Sequence, residues 1–139
     1  HASQIALGIA LQKPERRVYC FDGDGASIMH MGNMAITASM KCKNYVHIVF
    51  NNGAHDSVGG QPTVGLKIDF CAIAQAVGYK AAYSVETMEA LEAKLAEFKN
   101  AEGPVFLQIC VKKGNRKDLG RPTTTPIQNK EAFMEFLNK

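Results

Sequence analysis

Hydrophobic and polar residues along this chain fall into short blocks whose spacing alternates between that of strands and that of helices. Runs rich in β-branched and aromatic residues, bounded by turn residues, predict four strands. These lie at 16–22, 45–52, 79–85 and 104–113. Segments with apolar residues at helical spacing predict helices before, between and after the strands. These lie at 1–13, 27–42, 69–78, 87–100 and 128–138.

This order of elements predicts an α/β fold. Strands that alternate with helices favour a doubly wound, mainly parallel sheet with helices on both faces. The nearly continuous apolar run at 104–113 is typical of a strand covered on both sides. With 139 residues and no interdomain linker, the chain is expected to form one domain over 1–139. Ligands of such sheets bind beyond the carboxyl ends of the strands.

Two polar motifs stand at that edge of the predicted sheet. Gly23-Asp24-Gly25 ends the first strand, and Asn51-Asn52 ends the second. Glycines let the backbone approach a ligand closely, and the residues that follow them open a helix whose free N–H groups suit a phosphate. The carboxylate of Asp24, the amide oxygen of Asn52 and a main-chain carbonyl would suit Mg²⁺, with phosphate oxygens and water completing its shell. The pattern therefore predicts a diphosphate held through a metal ion.

Composition and charge limit the kinds of partner that the chain is expected to have. The net charge of +3 is too small to favour nucleic acid or an anionic membrane surface. No apolar stretch approaches the roughly 18 residues of a membrane span, so we expect a cytoplasmic protein. The four cysteines are far apart and form no CxxC pair, which favours buried thiols over disulfides or metal ligands. They are Cys20, Cys42, Cys71 and Cys110.

The GDG motif, followed by NN about 28 residues after its aspartate, resembles the signature of thiamine diphosphate enzymes. The resemblance implies that the cofactors are thiamine diphosphate and Mg²⁺. It implies that Asp24, Asn52 and the main-chain carbonyl of Ala54 bind the metal. The diphosphate would be lined by Gly23, Gly25, Ala26 and Ser27. His55, directly after this cluster, either contacts the diphosphate or substrate or is a solvated loop histidine.

Longer segments resemble one branch of that family. HASQIALGIAL, DGDGASIMHMG, NNGAHDSVGGQPTVG and LGRPTTTP resemble the enzymes that decarboxylate phosphonopyruvate, with the β subunits of sulfopyruvate decarboxylases as relatives. The resemblance implies a small anionic 2-oxo acid substrate, converted in the first case to phosphonoacetaldehyde and CO₂. The alternatives are a sulfopyruvate decarboxylase β subunit and a non-catalytic binding or assembly module of the same fold.

Part of the expected catalytic machinery has no counterpart in the chain. No residue here matches the glutamate that activates the cofactor, which in the family belongs to a pyrimidine-binding domain. The chain also begins without Met and inside a predicted helix, so we expect the C-terminal part of a longer enzyme. The resemblance thus implies a partner, a pyrimidine-binding domain or subunit, within a homo- or hetero-oligomer. No catalytic residue is assigned in this chain beyond the open case of His55.

Other interpretations of the same residues are weaker. FDGDGAS also resembles the nucleophile loop of haloacid-dehalogenase-type phosphatases, but those need a later Ser or Thr at a strand end and a downstream acidic pair. A Rossmann domain would need GxGxxG directly after a strand, which is absent. Asp22 is expected to orient the loop or end the strand. Gly59, Gly60 and Gln61 either place donors near the cofactor or form a flexible linker. The basic residues from Lys112 to Arg121 either attract the anionic substrate or form a solvated face.

Overall fold

The computed structural model describes all residues, 1–139, and contains six α-helices and six strands. The helices are α1 (Ala2–Gln12), α2 (Asp24–Met29), α3 (Gly32–Ser39), α4 (Phe70–Val77), α5 (Met88–Phe98) and α6 (Pro126–Leu137). The strands are β1 (Val18–Gly23), β2 (Tyr45–Asn51), β3 (Ala54–His55), β4 (Gln61–Pro62), β5 (Ala81–Val85) and β6 (Val105–Cys110). The four predicted strands correspond to β1, β2, β5 and β6, and each predicted helical segment contains a helix.

The main sheet is fully parallel. Its strand order is β1-β2-β6-β5, and all three neighbouring pairs run in the same direction. The pairing of β1 with β2 places Cys20 opposite His47 and Gly23 opposite Phe50. Strands β3 and β4 form a separate antiparallel pair within the loop that follows β2. The carboxyl ends of β1 and β2 therefore meet at one edge of the sheet, as the sequence predicts.

Helices cover both faces of the sheet. On β2, Tyr45 and Val49 face clusters that include residues of α1, α3 and α4. Val46 and Ile48 face the opposite side, where Phe98 of α5 packs. Because side chains alternate along a strand, the uninterrupted apolar run of β2 serves both clusters at once. The doubly wound α/β fold class is confirmed.

The segment rich in methionine differs from its prediction as a single helix, 27–42, buried on more than one side. It forms two short helices, α2 and α3, separated at 30–31. Gly32 and Asn33, two weak helix formers, follow the break directly. Met34 is buried, but three other large apolar side chains are exposed. These are Met29 (66%), Ile36 (54%) and Met40 (47%).

Local signals set several helix ends. The side chain of Asp69 accepts a hydrogen bond from Ala72 N at 2.9 Å and caps α4, which Gly78 ends in the left-handed conformation. Thr125 and Gln128 form a capping box that starts α6 at Pro126. All four cysteines are free thiols; Cys20 and Cys42 are buried, whereas Cys71 and Cys110 are only half-buried. None of the six helices combines the length and the apolar character that a membrane span requires.

Candidate functional site

The GDG motif lies where β1 passes directly into α2. Gly23 ends the strand and is the N-cap of the helix, and Asp24 is the first helical residue. No side chain caps this helix, so the first N–H groups of α2 lack acceptors within the helix. These free N–H groups and the positive end of the helix dipole face the same edge as the end of β2. The edge can therefore receive an anionic group.

Asp24 is buried beside Asn51, the last residue of β2. Their side chains are only 1% and 0% exposed. Asp24 Oδ2 and Asn51 Oδ1 both lie close to Gly65, so close that a Cβ on Gly65 would stand 2.7 Å from Asn51 Oδ1 and nearer still to Asp24 Oδ2. Two oxygen atoms from neighbouring strand ends thus face the same small volume.

A short segment, Thr63 to Gly65, returns over these two side chains. The Thr63 hydroxyl donates a short hydrogen bond to Asp24 Oδ2 and accepts one from Gly65 N at 3.0 Å. Asn51 Nδ2 donates to Gly65 O at 2.8 Å, and Asn51 Oδ1 accepts from Gly53 N at 3.1 Å. We call residues 63–65 the strap. The strap fixes the orientation of both the carboxylate and the amide.

Asn52 takes a different direction from Asn51. Its Oδ1 accepts from Ala54 N at 3.0 Å, and its Nδ2 donates to Asp56 Oδ2 at 3.0 Å. The same Asp56 oxygen accepts from Gly114 N at 2.7 Å, which ties this loop to the segment after β6. Asn52 is half-buried and makes no hydrogen bond with Asp24. The structure therefore brings Asn51, the neighbour of the predicted Asn52, to the carboxylate.

The remaining residues named from sequence surround the start of α2. Gly25 is buried against the ring of His55, whose Cε1 would be 2.5 Å from a Cβ on Gly25. A side chain at position 25 would therefore clash with the ring of His55 in its present position. The hydroxyl of Ser27 is buried and has no hydrogen-bond partner. A buried hydroxyl without a partner is costly, so a ligand that bonds to it would be stabilised.

Ala26 and Ala54 complete the predicted set. Ala26 lies half-buried in the first turn of α2, and Ala54 is 7% exposed in β3, two residues beyond Asn52. Ala54 reaches the site through the hydrogen bond from its own N–H to Asn52. Both residues lie beside the site because they are close in sequence to Gly25 and Asn52.

The donor set fits a hard cation. Asp24 is a buried carboxylate, and no lysine or arginine forms an ion pair with it. A buried charge without a counter-charge is strongly unfavourable, so a cation at this position would supply the missing compensation. Carboxylate, amide and hydroxyl oxygens are the groups that Mg²⁺ prefers. The residues present therefore fit the metal and diphosphate that the sequence predicts.

An open pocket of about 630 Å³ lies next to the site, between the start of α4 and the middle of β5 and β6. It is lined in part by Leu66, Phe70, Cys71 and Gln108. Gln108 Oε1 accepts from Asn51 Nδ2 at 3.4 Å, which connects the pocket to the buried amide. Burial, followed by the charge of Asp69, raises the pKa of the Cys71 thiol to about 11. The pocket thiol is therefore protonated at neutral pH.

Sequence reasoning missed three residues of the site: Asn51, Thr63 and Gly65. Asn51 belongs to the NN pair, but the pair alone does not say which member turns inward. Thr63 and Gly65 belong to QPTVG, whose turn residues indicate a loop but not where that loop returns. Their contacts with Asp24 are distant in sequence, and no local pattern encodes them.

Comparison with known proteins shows what the chain is similar to. Residues 1–109 match the family described as thiamine pyrophosphate enzyme, C-terminal TPP binding domain. A phosphonopyruvate decarboxylase of Streptomyces viridochromogenes is 36% identical over 136 residues, which are 98% of this chain and 34% of the relative. A sulfopyruvate decarboxylase subunit beta of Methanocaldococcus jannaschii is 32% identical over 142 residues, which are 99% of this chain and 72% of that subunit.

A solved structure shows the same fold. A putative thiamin diphosphate-dependent enzyme from Mycobacterium smegmatis matches with a TM-score of 0.69 at 28% identity, over 81% of this chain and 22% of that one. The chain spans about a third of the length of the Streptomyces relatives that it matches. The family resemblance seen in the sequence is confirmed.

Proposed function

This chain belongs to the thiamine pyrophosphate enzymes, and from that premise we propose that it forms the diphosphate- and Mg²⁺-binding part of a 2-oxo acid decarboxylase. One observation carries the proposal: the buried carboxylate of Asp24 has no cationic partner and stands at the free N-terminus of α2. The substrate is phosphonopyruvate, converted to phosphonoacetaldehyde and CO₂. The name of the Streptomyces relative, which is 36% identical over 98% of this chain, supports this choice.

For the metal, we propose Asp24, Asn52 and the main-chain carbonyl of Ala54 as the protein ligands. Asn51 is less suited, because its side chain is fully buried beneath the strap and holds Gly53 and Gly65. Asn52 is only half-buried and is therefore more accessible to an ion, and its amide oxygen likewise accepts a single main-chain N–H, that of Ala54. Asn51 instead acts as the residue that fixes the strap over Asp24.

In this proposal the residues of this chain bind and orient the cofactor. The thiazolium ring of the bound cofactor supplies the electron sink for the loss of CO₂. Gly23, Gly25 and Ala26 present backbone to the diphosphate, and the free hydroxyl of Ser27 donates to one of its oxygens. His55, packed against Gly25, stands where an imidazole N–H can donate to the diphosphate or to a substrate carboxylate.

We further propose that a pyrimidine-binding domain or subunit completes the active site, within a homo- or hetero-oligomer. The activating glutamate of the family has no match here. The chain spans 34% of the Streptomyces relative, and its Methanocaldococcus relative is by name one subunit of an enzyme. We propose that residues 1–139 are a single domain of that larger assembly.

Calorimetry of thiamine diphosphate binding, with and without Mg²⁺, tests the cofactor site. We expect binding that requires the metal and that Asp24→Asn abolishes, because the amide keeps the shape but removes the charge. Asp118→Asn is the matched control, since the Asp118 side chain is exposed and pairs only with Arg116. Metal-independent binding, or equal affinity in Asp24→Asn, would refute the proposed site. Asn51→Ala and Asn52→Ala then show which of the two amides binds the metal. Asn52→Ala should weaken the Mg²⁺-dependent binding of thiamine diphosphate more than Asn51→Ala does.

Substrate identity is tested on the complete enzyme. Decarboxylation of phosphonopyruvate should exceed that of sulfopyruvate, pyruvate and benzoylformate. A preference for sulfopyruvate would instead support the second candidate, a sulfopyruvate decarboxylase β subunit, which the 72% coverage of the Methanocaldococcus subunit favours. Cofactor binding without turnover of any of these acids would support a non-catalytic module of the same fold.

A further inference from the structure

A second group of potential ligands lies beneath the cofactor edge, on the side of the sheet that faces α1. Cys20 and Asp22 are two residues apart on β1, so their side chains point to the same face. His47 on β2 is the partner of Cys20 in the strand register. The Cys20 Sγ, a carboxylate oxygen of Asp22 and a ring nitrogen of His47 all lie within 4.8 Å of one another.

His47 is buried and incompletely paired. Its side chain is 2% exposed, and its Nε2 has no hydrogen-bond partner. That nitrogen points into the group, 3.5 Å from Asp22 Oδ2. A buried ring nitrogen that makes no hydrogen bond is rare, because it costs free energy. Its position beside a thiol and a carboxylate indicates that the three side chains bind a common ion.

The other ring nitrogen of His47 is already oriented. Nδ1 lies 3.2 Å from the hydroxyl of Tyr79. If Nδ1 carries the proton and donates it to Tyr79, Nε2 presents its lone pair to the group. Histidines that bind metals commonly donate their second N–H in this way, which fixes the tautomer and the ring plane.

We propose that Cys20, Asp22 and His47 form a second metal site, which binds Zn²⁺ or a similar borderline-soft divalent cation. Sulfur, imidazole nitrogen and carboxylate oxygen are the ligand types of zinc, and this mixture is poorly suited to Mg²⁺. Zinc bonds of about 2.0–2.3 Å place tetrahedral ligands roughly 3.3–3.8 Å apart, which the separation of His47 Nε2 and Asp22 Oδ2 already matches. Water occupies the fourth position.

Charge balance favours the same conclusion. On binding, the Cys20 thiol loses its proton to solvent as the sulfur–metal bond forms. The thiolate and the Asp22 carboxylate then neutralise a divalent ion, so the buried complex carries no net charge. The Asp22 side chain is 11% exposed and provides the route from solvent.

Titration of the metal-free complete polypeptide with Co²⁺ tests the proposal. Co²⁺ bound by a thiolate gives a sulfur-to-metal charge-transfer band in the near ultraviolet, which oxygen-only sites do not give. We expect one equivalent of Co²⁺ to develop this band, and one equivalent of Zn²⁺ to remove it. Cys20→Ser should abolish the band, and His47→Gln should weaken Co²⁺ binding strongly. Tyr79→Phe should keep the band but weaken binding by about 10–100-fold.

Controls separate this site from the cofactor site and from other thiols. Cys110→Ser leaves the group intact and should keep the band. Asp24→Ala should also keep it, so failure of the proposed cofactor site would not remove this signal. Circular dichroism of each metal-free variant confirms that it folds. The absence of the band in the native protein, or its persistence in Cys20→Ser, would overturn the proposal and leave a buried histidine–aspartate pair.

Discussion

Adding one methyl group at Gly65 should damage the cofactor site, because the new Cβ would press against both Asp24 and Asn51. A Cβ on Gly65 would lie 2.7 Å from Asn51 Oδ1, 2.9 Å from Asp24 Cβ and closer still to Asp24 Oδ2. Nonbonded carbon and oxygen atoms do not approach within 3.0 Å without displacement. The two side chains cannot turn away freely, because both are buried and hydrogen-bonded to the strap.

The size of the effect follows from this geometry. Overpacking of a closely packed site costs about 1–3 kcal/mol. For a domain of 139 residues, each kcal/mol lowers Tm by roughly 3–5 °C, so Gly65→Ala should lose about 3–15 °C. The carboxylate must also move, so Mg²⁺-dependent binding of thiamine diphosphate should fall by at least about tenfold, the equivalent of 1.4 kcal/mol.

Gly8→Ala is the matched control. Gly8 is exposed in the middle of α1, and nothing lies within 4 Å of its added Cβ. Alanine there should stabilise the helix by about 0.5–1 kcal/mol and leave cofactor binding unchanged. Thermal denaturation and calorimetry of both variants provide the measurement. If Gly65→Ala matches Gly8→Ala in both Tm and affinity, the strap does not lie over Asp24 as described.

Three further predictions concern separate parts of the molecule. Thr63→Val removes the donor to Asp24 and the acceptor of Gly65 N, so it should destabilise the protein by about 1–3 kcal/mol in urea denaturation and weaken Mg²⁺ binding; Thr63→Ser retains both bonds and should behave as the native protein. Because the pKa of Cys71 is raised from 9.0 to about 11, its thiolate fraction at pH 8 falls by roughly 100-fold, and mass spectrometry should show correspondingly slow alkylation by iodoacetamide; alkylation at the rate of a free cysteine peptide would contradict this. Hydrogen bonds from Lys80 and then Lys43 lower the pKa of Glu102 below 4.5, so its contribution to stability is complete above that pH and is lost as the pH falls through the lower folded value; the small stability deficit of Glu102→Gln at pH 7 should vanish in strong acid, and a deficit that persists there would have another origin.

The order of the helices and strands could be predicted from the sequence because it depends on local patterns. The apolar run of β2 and the strand-to-helix change at Gly23 are encoded within a few residues, and parallel strands must bring their carboxyl ends to one edge. The GDG and NN motifs alone thus predict a site at the ends of β1 and β2. The break between α2 and α3 is not predicted by the sequence, because a single glycine within an apolar helical pattern does not by itself end a helix.

What only the tertiary structure decided is which side chains meet at that edge. Strand side chains alternate, so a shift of one residue in where β2 ends exchanges Asn51 and Asn52, and sequence patterns locate such ends only to within a few residues. The return of Thr63 and Gly65 over Asp24 depends on the path of a long loop, which no local preference fixes. The register that sets Cys20 opposite His47 likewise arises from packing of the whole sheet against its helices. The sequence determined the fold and the edge at which the candidate site lies; contacts between residues far apart in the chain determined how the side chains of that site are arranged.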